Sequence, residues 1–314
     1  MKKIFVAVIG LLTFTITAQA QKKTSGAIQF ETSIDPAAMM AERGITVTDE
    51  MKARMPKAQK ANFELLFTAT NASYMPVEES EDSNGGGGGG FGGGMNRMMR
   101  FAGGMGGQRE YYYTFADQKL VEVFDVSDTT YVMQSKLAVA SPVQANFNMG
   151  GNRQGGQPGG ANSTAQAPVA TNSIEYLPGE ARFEVVKTDE TKKIIGLNCK
   201  KAIVKTIRKA KVLGEVGEIA DETALWYTTE LGFNFSPNPN MWTEGAVLAI
   251  ETKGSVTAAK SIEYRGVSTK DVTAPKKALP ITAEQYQVKM QNMMKRFTGG
   301  GNRQGGQVRT TVIN

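Results

Sequence analysis

The sequence predicts an α+β fold that is mainly β: a large, curved antiparallel sheet with a few packed helices on or inside its concave side. Three observations predict it. Short runs alternating apolar with polar residues recur along the chain, separated by clusters of Gly, Pro, Asn and Asp. One long segment near the C-terminus has the apolar period of a helix. Glycine, 35 of 314 residues, is concentrated in three tracts at 85–107, 150–160 and 299–306 that interrupt the strand pattern.

The chain opens on Lys2 and Lys3, an apolar run over 4–16, and Ala18-Gln19-Ala20, a small-residue cleavage pattern. This reads as a signal peptide, residues 1–20, cut before Gln21. The run is shorter than the ~18 apolar residues of a membrane span. No later segment is apolar enough, so no transmembrane segment is expected after cleavage. The expectation is an exported protein, periplasmic, associated with the outer membrane, or extracellular.

Strand patterns then follow at 27–34, 62–70 and 73–77, and a meander at 111–115, 119–126 and 129–134 is punctuated by Asp117-Gln118 and Ser127-Asp128. After the second tract come runs at 183–188, 194–195, 199–207, 224–231, 246–252 and 260–264. Helices are expected at 36–43, stopped at Gly44, and at 49–55, capped by Thr48. The longest, 283–297, is capped by Thr282 with Gln285 three residues on. Its residues Tyr286, Met290, Met293, Met294 and Phe297 share one face. Such a face either packs on its own protein or holds a lipid or partner peptide. The domain is expected to occupy 21–298, with flexible insertions at 84–109 and 149–163 and a Gly/Arg tail at 299–314. Residues 150–157 and 300–307 are the same octapeptide, Gly-Gly-Asn-Arg-Gln-Gly-Gly-Gln.

Composition closes several chemistries. Histidine is absent and Cys199 is the single cysteine, which excludes imidazole catalysis, His-ligated metals and internal disulfides. The formal charge is +6, but Arg97, Arg100, Arg109, Arg153, Arg303 and Arg309 lie in the wider tract segments 84–109, 149–163 and 299–314, which carry no acidic residue. The basic balance thus belongs to the tracts, which read as solvated loops and not as a nucleic-acid surface. The tracts lack the Lys-Ser/Thr of a phosphate loop. The acidic run Glu78, Glu79, Glu81, Asp82 lacks the spacing of a calcium loop. No metal site, cofactor or catalytic residue is expected.

The most distinctive stretch is Ile195-Gly196-Leu197-Asn198-Cys199-Lys200-Lys201-Ala202, then Trp226-Tyr227-Thr228-Thr229-Glu230-Leu231, then Trp242 to Glu251. It resembles the GLPGLI family of exported Bacteroidetes proteins, whose pattern runs I-x-G-Y-x-C-x-K-A, then W-Y/F-T-x-E-I-P. Leu197 replaces the aromatic, Gly232 the proline, and Thr243-Glu244 the Leu-Pro of the segment that names the family. Phe63 to Phe67 with Ser73-Tyr74, and Ile281 to Tyr286, are also similar to it. The resemblance implies a β-rich half-barrel, akin to periplasmic lipoprotein carriers, and no catalytic residue. Within the stretch, Gly196 permits a hairpin turn and Cys199 reads as a small core residue. Trp226 and Tyr227 point to opposite faces, one into the core and one outward or to a rim. Trp242, on a turn-rich loop, is either a lid on the core or a ligand contact, with Glu244 beside it. The candidate binding residues are Trp226, Tyr227, Trp242, Glu244, Tyr286, Met290, Met293 and Met294. The expected function is that of a non-enzymatic envelope protein that binds an apolar ligand or a partner on the concave face. Its alternatives are an assembly factor contacting an outer-membrane protein through the Gly/Arg loops, and a hydrolase using Glu230, Glu244 and Glu251.

Overall fold

The computed structural model describes residues 24–42, 46–55, 59–77, 109–126, 128–139, 174–212 and 214–299. The expected signal peptide, the 149–163 tract, most of the 84–109 tract and the tail after Gly299 lie outside the described residues, as does the acidic run at 78–82.

Thirteen strands form one large, open, curved and mainly antiparallel sheet, as expected. Its first elements are β1 (Gly26–Ile34), helices α1 (Pro36–Glu42) and α2 (Asp49–Arg54), β2 (Gln59–Phe67) and β3 (Asn71–Pro76). A meander follows: β4 (Glu110–Thr114), β5 (Lys119–Val126) and β6 (Thr129–Ser135). The chain continues through β7 (Ile174–Tyr176), β8 (Arg182–Ile194), β9 (Leu197–Val212) and β10 (Glu215–Thr228), then β11 (Ala246–Glu251), β12 (Ser255–Glu263), β13 (Leu279–Pro280) and α3 (Ala283–Gly299). The spatial order is β13-β6-β5-β4-β3-β2-β1-β12-β11-β10-β9-β7, with β8 also on β9. The pairing of β13 with β6 is parallel, an exception to the expected antiparallel sheet.

Local chemistry accounts for the boundaries. Thr48 accepts the Met51 N–H at 3.3 Å at the start of α2. At α3 the capping box closes in both directions: Gln285 N–H donates to Thr282 Oγ1 at 3.2 Å, and Thr282 N–H to Gln285 Oε1 at 3.0 Å. Ile195 and Gly196, with φ of 47° and 86°, form the two-residue turn between β8 and β9.

Register aligns one aromatic face across β1 to β5. Ile28 and Phe30 on β1 stand beside Leu65 and Phe63 on β2, then come Tyr74, Tyr111 and Tyr113, and finally Leu120, Glu122 and Phe124 on β5. The loop 229–245 folds over this face. Phe235, fully buried, sits 5.7 Å from Phe30 and 5.4 Å from both Tyr74 and Tyr113, ring centre to centre. Phe233 stacks on Phe115 at 4.7 Å. The same loop holds the segment after β6: Ala138 N–H donates to Pro239 O at 2.9 Å and Trp242 N–H to Ala138 O at 3.1 Å. Seven strands separate β6 from β10 in the sheet, so these bonds tie its two sides together across the curve. On the opposite face, Val272 packs on Ala27 and Leu66, and Ser73 Oγ donates to Asp271 O at 2.7 Å.

Candidate functional site

The candidate residues fall into three places. Tyr227, Trp242 and Glu244 meet on one side of β10. Tyr227 is buried among Ala202, Val204, Leu225 and Val247, with Trp242 and Met241 packed over them. Trp242 donates its indole N–H to Gly245 O at 2.8 Å, which fixes the ring as a lid on this cluster. Gly245 makes the turn, with φ 56° and no space for a Cβ against the Thr228 carbonyl. Glu244 is half-buried and pairs with Lys187 at 2.5 Å. Burial, then the Glu244 charge, raises the Tyr227 hydroxyl. The Lys187 hydrogen bond lowers the Glu244 carboxyl.

Trp226 belongs to a different core cluster from Tyr227. The expectation that one of the pair would be outward or at a rim is corrected: both are buried, at 7% and 4% exposure. Lysines make the difference. Lys192 stands 4.0 Å and Lys201 5.6 Å from the ring centre of Trp226, roofing it with their stems and charges. The Trp226 N–H lies beside the Glu251 carboxylate without reaching hydrogen-bond geometry. Burial raises the Glu251 carboxyl, but Lys192, bonded to it at 2.6 Å, and the Trp226 indole outweigh burial and lower it. Cys199 is free and fully buried, and burial raises its thiol to about 11. The nearby cation is Lys192, its register partner on β8.

The third place is where α3 meets the aromatic face. Tyr286 and Met290 pack on Phe124, Val126 and Met133, and the Tyr286 and Phe124 rings are 4.9 Å apart, edge to face. The side chains of Met293 and Met294 lie outside the described residues. Beneath Tyr286 is a buried ion pair that the sequence reading did not anticipate. Arg109 binds Glu122, and its guanidinium lies between the rings of Phe124, at 4.8 Å, and Tyr286, at 5.0 Å. The side chains are 18% and 6% exposed. Burial opposes the arginine charge, but Glu122, Tyr286 and Tyr111 outweigh it and raise the Arg109 pKa. Burial, then Glu122, raises the Tyr111 hydroxyl.

Arg109, counted with the solvated tract, is therefore part of the domain. Two signals in the sequence pointed there. Arg109, Tyr111 and Tyr113 share one parity, and Glu122 is the single carboxylate in the inward row Leu120, Glu122, Phe124, Val126.

Each of the three glutamates is held by its own partner. Glu230 accepts from Asn198 N and Nδ2 at 3.0 and 2.8 Å, Glu244 holds Lys187, and Glu251 holds Lys192. Among the described residues no three acidic or cysteine side chains group as metal ligands. An open depression of about 520 Å³ lies at α1 and α2, lined by Asp35, Ala37, Ala38, Ala41, Thr46, Val47 and Lys52, not on the aromatic face. Among the described residues no helix is long and apolar enough to cross a membrane.

No family model matches the chain, and no curated protein matches it. Among solved structures, PNGF-II is similar in both its C2 and P21 crystal forms, with TM-scores of 0.43 and 0.42 at 12% identity. The likeness covers 85% of this chain and 33% of PNGF-II, so the chain spans about a third of that structure's length. No residue role follows from a likeness of this size.

Proposed function

We propose that the chain is an exported, non-enzymatic binding protein of the cell envelope. It takes an apolar ligand, or an apolar segment of a partner, on the aromatic face of its sheet, where α3 is the replaceable cover. One observation carries this reading: among the described residues, α3 rests on the face through two buried side chains, Tyr286 and Met290, while Val288 on the same helix is 56% exposed. Two such side chains contribute about 3–6 kcal/mol of apolar burial before the ordering cost is subtracted. A competitor that buries more apolar surface than Tyr286 and Met290 would displace them from the face. Beneath it lie Phe124, Tyr131 and the Arg109–Glu122 pair, an apolar floor with one polar anchor. The separate, individually paired glutamates support a role without acid–base chemistry. Resemblance to GLPGLI proteins and the N-terminal signal pattern support the exported location.

The test is titration of 1-anilinonaphthalene-8-sulfonate into the full chain and into Tyr286→Ala/Met290→Ala, each confirmed folded by a cooperative melt. The intact chain should bind one equivalent, and the variant at least tenfold more tightly, because the cover no longer competes. Folded proteins that both ignore the probe, or bind it equally, would refute the reading.

A further inference from the structure

A second surface, independent of the aromatic face, lies on the outer edge of β10. This strand pairs with β9 over 215–227 without a register shift, but with β11 only over 224–228. Residues 215–223 thus have no strand on their outer side among the described residues, an edge about 30 Å long at ~3.4 Å per residue. An edge of that length is a template for another chain unless it is guarded. The far edge of the same ribbon, β8, is broken by a register shift between Lys187 and Thr191 and carries lysines. The β10 edge has no bulge, proline or lysine, and its Val216 is 65% exposed. Its charged residues are Glu215, Glu218, Asp221 and Glu222, all acidic.

The inner neighbour shows what such an edge accepts. Over 203–212, β9 carries Lys205, Arg208, Lys209 and Lys211 with no acidic residue. Arg208 holds Asp221 at 2.6 Å and Lys205 holds Glu222 at 3.2 Å across the pair. Glu218 is likewise paired, with Arg182 of β8 at 3.4 Å, but Glu218 and Glu222 remain 56% and 54% exposed, and strand side chains can be reached from either flank, so these carboxylates stay open to a basic strand on the outer side. Two β10 edges meeting would set four carboxylates against four, which disfavours a second copy. We propose that 215–223 binds, by strand addition, an extended basic and β-branched segment of another protein, with a sequence chemistry like that of β9.

The probe is a capped decapeptide with the sequence of 203–212, titrated into the full chain and followed by anisotropy and hydrogen exchange. Three controls accompany it: the same peptide with its four bases replaced by Glu, the peptide N-methylated at alternate residues, and the protein variant E215Q/E218Q/D221N/E222Q. The basic peptide should bind one to one and protect 215–223, and its affinity should fall at least tenfold in the variant and in high salt. The acidic and N-methylated peptides should not bind. Absence of binding, or equal binding of the N-methylated peptide, which needs no variant to be read, overturns the proposal. So does loss of protection in β9, which would mean strand exchange. Protection of 215–223 without peptide also overturns it, assigning the edge to the same chain in a monomer and to a second copy in a dimer.

Discussion

Replacing Arg109 by Ala should destabilise the domain far more than loss of an average arginine. Glu122 is 6% exposed on a face otherwise lined by Leu120, Phe124 and Tyr111, so removing its partner leaves a carboxylate without a counter-charge in apolar surroundings. Breaking a buried pair in this way costs about 3–5 kcal/mol. Loss of the guanidinium between Phe124 and Tyr286 adds about 0.5–2 kcal/mol. For a domain of this size each kcal/mol lowers the melting temperature by about 2–4 °C, so the melt should drop by roughly 7–28 °C. The pair Arg109→Met/Glu122→Leu should recover most of the loss, because neither charge is then stranded. Urea unfolding of the wild type, both single variants and the double gives the coupling energy, and exchange over 283–292 should rise in Arg109→Ala as α3 loses its seat. A loss below about 1 kcal/mol for Arg109→Ala, or additive single variants, would refute this account of the node.

Other predictions rest on separate features. Phe235→Ala removes a fully buried ring touching three aromatic neighbours and should cost about 3–5 kcal/mol by urea unfolding; a cost under 1 kcal/mol would mean that loop 229–245 does not fill the aromatic face. Gly245→Ala should cost more than about 2 kcal/mol, since φ is 56° and a Cβ meets the Thr228 carbonyl. Gly196→Ala, at φ 86° with open space, should cost about 1–2 kcal/mol, and equal losses for the two would count against the clash. The Cys199 thiol, raised to about 11, stays protonated in the fold while the unfolded thiol ionises near 9. Its contribution is full below pH 9 and lost between about 9 and 11, at about 1.4 kcal/mol per pH unit. Cys199→Ala should flatten that alkaline decline, and an unchanged slope would show that the thiol is not the group responsible.

What could be read in the sequence was what repeats with a short period. Strands with well-buried residues, β1, β5 and β11, announce themselves by apolar residues, and the Thr282 and Thr48 caps by hydroxyls placed before helix-forming runs. Strand β10 shows the limit: its buried end from Ala224 was legible, but 215–223, exposed in a projecting ribbon, has no apolar face to reveal it. The short β7 and β13 were missed because three and two residues carry no period, and their pairing depends on partners distant in sequence. The separation of Trp226 from Tyr227 followed from strand alternation. That Lys192 roofs Trp226 did not, since it depends on the β8–β9 register. Arg109 was misplaced because composition assigned it to the glycine tract, whereas the geometry of β4 and β5 assigns it to Glu122.

The central claim is that the aromatic face beneath α3 is a binding surface. Native mass spectrometry of the full chain recovered from its producing cells tests it most directly. The account predicts an apolar mass bound one to one, displaced by excess 1-anilinonaphthalene-8-sulfonate and accompanied by increased exchange over 283–292. Protein that is ligand-free in every preparation, with α3 equally protected with and without the probe, would contradict it.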